Sequence, residues 1–367
     1  MRAEASSNRL VDVLNKGIIV VAPAARANGP WLYATRATSL QEVANRPIIC
    51  HVLDALAAAG VVEVAIVSPP DLREEIGSCL ASEGPSQLEV SELTYDRRDQ
   101  TAGIVQAAAE FAGDAPVILH GADGLLGRPL RPLLEVREQD QSDMVLLIAQ
   151  GSRNTEPLGP ATRELLSVVD LNPSNATHGL ASVCLLGPGM LRRLDLEAGT
   201  SENFDLADLV ERLVAHDCSR MHVRVVREWR RFTGDALDLL DINRAVLDAL
   251  DDHVPLLQDN GNRFEGRVMI DATASVSSSV ICGPVIVGPG AYIADSYVGP
   301  HTAIGAGVHI EGAEIERSIV LAGASILHVG GRLVASVVGR DARIFRDFSM
   351  PRAMRLQVGD GDEVALC

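Results

Sequence analysis

The chain has 367 residues, enough for one to three domains, and 47% of them are apolar, enough for a substantial core. Aromatic residues make up only 3%, so Leu, Val, Ile and Ala must fill that core, which favours α/β layers and solenoids over aromatic-rich sandwiches. The formal net charge of −17 disfavours nucleic-acid binding, which needs a basic surface, and is accounted for by solubility.

In chain order, residues 1–16 read as a polar extension without the apolar centre of a secretion signal. No run approaches the roughly 18 apolar residues of a membrane span. A buried strand over Ile18–Val21 leads into a long loop that returns to the fold at Arg46-Pro47. Apolar residues at helical spacing predict a helix over 48–61, ended by Gly60, and VEVAIVSPP predicts a second buried strand. A helix (DLREEIGSCLASEG), a strand (LEVSELTYD), a small-residue helix over 101–114 and a strand over 115–124 follow, the last ending in a loop with Asp123. Strands are predicted at 144–150, 165–171, 180–187 and MHVRVVREW, with helices at FDLADLVERLVAHD and 235–252. This alternation means βαβ units and a mostly parallel, Rossmann-like sheet.

From Ile270 the sequence repeats. Ile270, Val287, Ile304, Leu321 and Val338 are spaced by 17, as are Val276, Ile293, Ile310 and Leu327, and a third row holds Ile281, Val298 and Ile315. Each unit divides into three short sides with one aliphatic residue turned inward per side, the pattern of a triangular parallel β-helix. The expected organisation is an extension (1–16), an α/β domain (17–252), a linker (253–265), a parallel β-helix (266–345), left-handed as in the hexapeptide-repeat proteins this segment resembles, and a cap (346–367). The six cysteines include no CxxC pair, which argues against structural zinc and a disulfide framework and fits a cytoplasmic protein.

The segments AAAGVVEVAIV, LDINRAVL, GPVIVGPGAYIADSYVGPHTAIGAG and RLVASVVGRDARI, with the tail MRLQVGD, resemble the sugar-1-phosphate nucleotidyltransferases, and among them the long-form glucose-1-phosphate thymidylyltransferases. The resemblance implies a nucleotide, a sugar phosphate and Mg²⁺ as ligands, and a Gly-Gly-x-Gly-Thr-Arg turn followed by a Lys. Glycines there would let backbone N–H groups approach phosphates, and the cations would neutralise charge at the α-phosphorus. Aligned back from Pro47, this chain instead has Ala22, Pro23, Ala24, Ala25 and Arg26 around the turn, Asn28 at the Arg position and Thr38 at the Lys position. Pro23 also removes a backbone donor. Arg26 and Arg36 lie two residues from the lost positions.

The same resemblance makes Asp123 the first metal-binding carboxylate, after Ala122 in place of a glycine. The second is missing from WRRFTG, where Trp229, Thr233 and Gly234 persist but Arg230, Arg231 and Phe232 bring no acid. Gln100 and Ala102 match a segment that contacts the base. Asp170, Ser182 and Trp229 fall at sugar-side positions, with Asn172 replacing a Lys. A lone carboxylate binds Mg²⁺ poorly, so the bland reading of Asp123 is a strand-end residue. For Trp229 it is packing, and for Arg227, Arg230 and Arg231 a surface charge run. His301, His309 and His328 lie in the repeat at outward or corner positions, where a general base for acyl transfer competes with surface or inter-subunit packing.

The residues together predict a catalytically degenerate homologue with a regulatory, scaffolding or ligand-binding role, beside an active paralogue. Two other readings stay open: a diverged active transferase using Mg²⁺, with Arg26, Arg36 or Arg231 as replacement cations, and a repurposed pocket or β-helix acyltransferase. Homo-oligomerisation through the β-helix is expected in each case, with no nucleic-acid or membrane partner.

Overall fold

A computed structural model describes residues 14–21, 37–95, 100–134, 142–151, 155, 158–168, 178–193, 206–217, 220–251 and 261–346. The first domain is built on a seven-stranded sheet. Its strands are β1 (Lys16–Val20), β4 (Glu63–Ser68), β5 (Glu89–Thr94), β6 (Val117–Gly121), β8 (Met144–Gln150), β9 (His178–Leu186) and β10 (Met221–Val226), in the order β10-β8-β9-β6-β1-β4-β5. All neighbours are parallel except β9, which runs antiparallel to both β6 and β8.

The central strands are short unbroken apolar runs because both faces of the sheet are covered. Ile19, Val64, Ile66, Ile118, Val145, Leu147 and Leu185 face one core, with helices α1 (Ile48–Ala58) and α2 (Arg73–Glu83) over it. Ile18, Ala65, Val67, Leu119, Leu146, Ile148 and Leu186 face the other, under α3 (Gln100–Ala112), α4 (Pro160–Val168) and α5 (Leu206–Asp217). One expectation fails here. The stretch predicted as a strand from 165 is helical through Val168, and residues 169–171 lie outside the described residues. The apolar segment LLSVVDL reads as a strand by composition. The helix wins because its first turn is capped from a distance: the Glu211 carboxylate on α5 accepts from Ala161 N, from Thr162 N at 3.1 Å and from the Thr162 hydroxyl at 2.7 Å.

The second domain stacks three five-stranded parallel sheets into a left-handed parallel β-helix. Its inward rows are Phe264, Ile281, Val298, Ile315 and Leu333; Ile270, Val287, Ile304, Val320 and Val338; and Val276, Ile293, Ile310, Ile326 and Ile344. Two members differ from the sequence reading: Val320 replaces Leu321, and Ile326 replaces Leu327. The corners at Arg317 (φ 49°) and Ala335 (φ 49°) are each one residue shorter than the corner at His301 (φ 60°), so two rows of the fourth coil slip by one, and the corner before Arg332, lengthened by two residues, restores the count. Buried serines brace another corner from coil to coil. Ser279 Oγ accepts from Ser296 N at 3.1 Å, and Ser296 Oγ accepts from Ala313 N at 3.2 Å.

The domains are joined through a tight hairpin, β2 (Glu42–Val43) and β3 (Arg46–Pro47), whose two turn residues Ala44 and Asn45 have φ of 46° and 63°. Asn45 Nδ2 donates to the Ile304 carbonyl in the β-helix at 2.7 Å. Asn243, buried on α6 (Ala236–Asp248), accepts from Ala44 N at 2.8 Å and donates to the His301 carbonyl at 3.1 Å. Ile319, Leu321 and Val337, on the outside of the β-helix, pack against the core of the first domain. Leu321 is therefore apolar because it serves the junction, although it does not line the coil.

Candidate functional site

The strand order turns at β1, whose neighbours β4 and β6 lie on opposite sides, which puts the switch point of the sheet, where folds of this kind form a ligand crevice, beyond the carboxyl ends of β1 and β6. The backbone is tied across that point by Ala122 N donating to Val20 O at 3.0 Å and by Val21 N donating to Val67 O at 2.9 Å. The chain leaves β1 here toward the positions of the expected phosphate turn. Ala22, Pro23, Ala24, Ala25, Arg26, Asn28 and Arg36 lie outside the described residues. Thr38 is described, half-buried at the start of a short 3-10 turn, Thr38–Leu40.

Asp123 sits in the turn between β6 and β7 (Gly124–Leu126), and β7 pairs antiparallel with β11 (Trp229–Arg231). That pairing brings the WRRFTG segment onto the Asp123 turn. Phe232 N donates to Asp123 O at 2.9 Å, and the Phe232 side chain is buried. Arg231 Nε donates to Asp123 Oδ2 at 2.9 Å, with 22% of the arginine and 14% of the aspartate side chain exposed. The segment expected to bring a second carboxylate brings two arginines and an apolar ring, and one of the arginines places its guanidinium on the first carboxylate.

Trp229 is fully buried, its ring lying over Gly124, where a side chain would collide with it. His120 is its neighbour, with ring centroids 5.9 Å apart. Burial drives the His120 imidazole down to about 4 against the opposing pull of the Gly121 carbonyl, which its Nδ1 meets at 2.6 Å, so the ring is neutral at ordinary pH. Ser182, on β9, is buried with its Cβ facing Gly121, and its hydroxyl has no hydrogen-bond partner among the described residues. Sequence reasoning did not single out His120; an isolated histidine in a buried strand carries no motif.

The basic run does not converge. Arg230 turns back onto the carbonyls of Arg227 and Trp229 at 3.2 and 2.9 Å, and Arg227 Nε reaches Gln150 at 3.2 Å. Thr233 is held by Asp238 on α6, through its N–H at 2.9 Å and its hydroxyl at 2.6 Å, which fixes the exit from β11. Gln100 opens α3 and Ala102 is half-buried in its first turn, on the far core layer. Asp170 and Asn172 lie outside the described residues. The structure thus brings together Asp123, Ser182, Trp229, Arg231 and Phe232.

The described donor set does not by itself form a divalent-metal site. Among the described residues no group of three His, Cys, Asp or Glu is placed to hold an ion, and the Asp123 carboxylate is already engaged by a guanidinium. The solenoid histidines are also occupied. His301 Nε2 meets Asp248 Oδ1 at 2.9 Å across the junction, while His309 and His328 share Glu311 at 3.3 and 3.6 Å. No described helix is long and apolar enough to cross a membrane.

With the sheet, the reversed strand and the site in place, the comparison with known proteins is decisive for class. The nucleotidyl transferase family model matches residues 32–249, and the chain belongs to that family. It is 29% identical over 336 residues to a glucose-1-phosphate thymidylyltransferase of Streptomyces griseus, an alignment covering 89% of this chain and 92% of that one. A second glucose-1-phosphate thymidylyltransferase, from Streptomyces antibioticus, is 26% identical over 90% of this chain and 94% of its own length. The low-salt glycan biosynthesis nucleotidyltransferase Agl11 of Haloferax volcanii is 26% identical over 89% of this chain and 93% of its own. Among solved structures, a Bacillus anthracis protein described as a candidate glucose-1-phosphate thymidylyltransferase shares the fold. Its TM-score is 0.52 at 13% identity, over 65% of this chain and 97% of that one.

Proposed function

We propose that this chain is a sugar-1-phosphate nucleotidyltransferase homologue that has lost transfer chemistry and acts by binding, as a regulatory, scaffolding or ligand-sensing protein. The observation that carries this reading is the Asp123–Arg231 pair beside buried Phe232. Nucleotidyl transfer needs cationic charge already placed where charge develops on the phosphates. Here the expected metal carboxylate is spent on a protein cation, and the segment Arg230–Phe232 supplies no second carboxylate. The sequence at the expected glycine turn, Ala22–Arg26, and at Asn28 and Thr38 supports the same reading, and the family match starts only at residue 32. Each such loss costs about 10²-fold or more in rate. The buried Ser182 hydroxyl, with no described partner, supports a retained polar ligand in the crevice.

The expected outcome is that purified protein with a divalent cation, nucleoside triphosphates and sugar 1-phosphates releases no pyrophosphate above background. Turnover of about 1 s⁻¹ or faster would overturn the reading. Thermal-shift titration with nucleotides and sugar nucleotides should still show stabilisation, about 2.7 kcal/mol at a hundredfold excess over Kd.

A second reading, a diverged active transferase, draws support from the near-full-length alignment with the two Streptomyces thymidylyltransferases. It requires Arg231 to leave Asp123 when substrate and metal bind. Asp123→Asn separates the two: loss of a measured activity favours the second reading.

A further inference from the structure

Cys50 and Cys79 are 29 positions apart in sequence, with no motif linking them, yet their sulfurs lie 3.6 Å apart. Cys50 is in the first turn of α1 and fully buried; Cys79 is in the middle of α2 and half-buried. We propose that these two thiols are a redox site that closes to a reversible intramolecular disulfide when a hydroperoxide reaches Cys79. This does not rest on the reading of the nucleotide site.

Geometry and electrostatics agree on the roles. Sulfur–sulfur contact at this range needs an approach of about 1.5 Å to reach bonding distance, within reach of side-chain rotation. Either thiol can donate in the contact between them; the contact holds the Cys79 thiol below its ordinary value against opposing burial and, followed by burial, pushes the Cys50 thiol up. Arg46 adds positive charge between the two helices, its guanidinium bonded to Asp54 of α1 at 2.6 Å and to the Glu83 carbonyl of α2 at 3.0 Å. Cys79 is therefore both the accessible thiol and the one favoured as thiolate. The other described cysteines differ: Cys184 is buried in β9, and Cys282 lies on the β-helix with its thiol raised, by burial first and then by Glu265.

The chemistry balances. The Cys79 thiolate attacks one peroxide oxygen, the O–O bond breaks, and the leaving hydroxide takes up a proton as water, giving a sulfenic acid at Cys79. Cys50 loses its proton and attacks the Cys79 sulfur, and the sulfenic oxygen leaves as the second water. Two thiols are oxidised by two electrons, and one hydrogen peroxide is reduced to two waters. The new bond ties α1 to α2 beside Arg46, next to the hairpin whose Glu42 pairs with Arg340 of the β-helix.

The test uses the whole chain, treated with stoichiometric to tenfold hydrogen peroxide, trapped with an alkylating agent under denaturing conditions and digested without reductant. Trypsin cleavage at Arg36, Arg73 and Arg97 places the two cysteines on different peptides, the Arg46-Pro47 bond being resistant. The expected result is a cross-linked pair lighter by two hydrogens, restored by dithiothreitol and formed at least tenfold faster than any oxidation of Cys282. It is absent in Cys79→Ser and present in Cys282→Ser. The oxidised wild type should also melt on the order of 5 °C higher than the reduced form, a rise that Cys79→Ser lacks. The proposal is overturned if both thiols are recovered alkylated while Cys282 is oxidised, or if Cys79 links to any cysteine other than Cys50.

Discussion

The β-helix and the crevice at the end of β1 use their side chains in opposite ways. In the solenoid every inward residue has a counterpart one coil away, held by parallel pairing from Ile270 through Val287, Ile304 and Val320 to Val338, so position within the stack is enforced by neighbours on both sides. In the crevice, single residues with no counterpart set the chemistry: Arg231 on Asp123, Phe232 beside it, Trp229 over Gly124. A repeat resists change because each coil templates the next. A site can be rewritten at two or three positions while the sheet that frames it stays intact, and that is the pattern in this chain.

The comparison breaks if the crevice proves loosely packed. Trp229→Ala should cost about 3–5 kcal/mol in urea unfolding, as much as a central solenoid deletion such as Ile310→Ala at about 2–5 kcal/mol. A cost under about 1 kcal/mol would mean that Trp229 lines an open cleft. The second test is pH. The folded His120 imidazole titrates near 4, well below an unfolded histidine, so the unfolded chain takes up the proton first as pH falls. Stability is full at pH 7.5 and is lost as pH drops from about 6.5 toward 4, by about 2 kcal/mol at pH 5 from this residue alone. His51, also lowered by burial, acts in the same direction. His120→Gln should flatten the slope of unfolding midpoint against pH.

The junction offers a smaller, sharper test. Asn243→Ala strands the buried Ala44 N–H and removes the bond to His301, for about 1–3 kcal/mol. It should also separate one unfolding transition into two, seen by calorimetry, with the β-helix melting last. At the small end, Arg332→Ala removes a surface contact to Glu314, Glu316 and the Tyr297 ring and should leave the melting temperature unchanged.

The sheet strands and inward rows were legible because burial on both faces, or on alternating residues, leaves a period in the sequence. The slip at Arg317 was not, since Val320-Leu321 and Ile326-Leu327 are both apolar pairs and either member fits an inward row by type. Nor was the helix ending at Val168, whose cap comes from Glu211 about 50 positions on. In the site, the loss of the second carboxylate could be read from WRRFTG. Which of three arginines reaches Asp123 could not, because that depends on β7 pairing with β11 across 108 positions. Cys50 and Cys79 were equally invisible as a pair, since only the packing of α2 beside α1 brings them together.

The shortened corner at Arg317 and the lengthened one before Arg332 give the tower an adjustable circumference. Ring size is corrected between two adjoining storeys, the shorter corner at Ala335 taking back the last extra residue, without displacing the storeys below them. A few residues added at Gly330-Gly331 would bulge outward locally and leave the contacts at His301 and Ile304, on which the first domain rests, where they are.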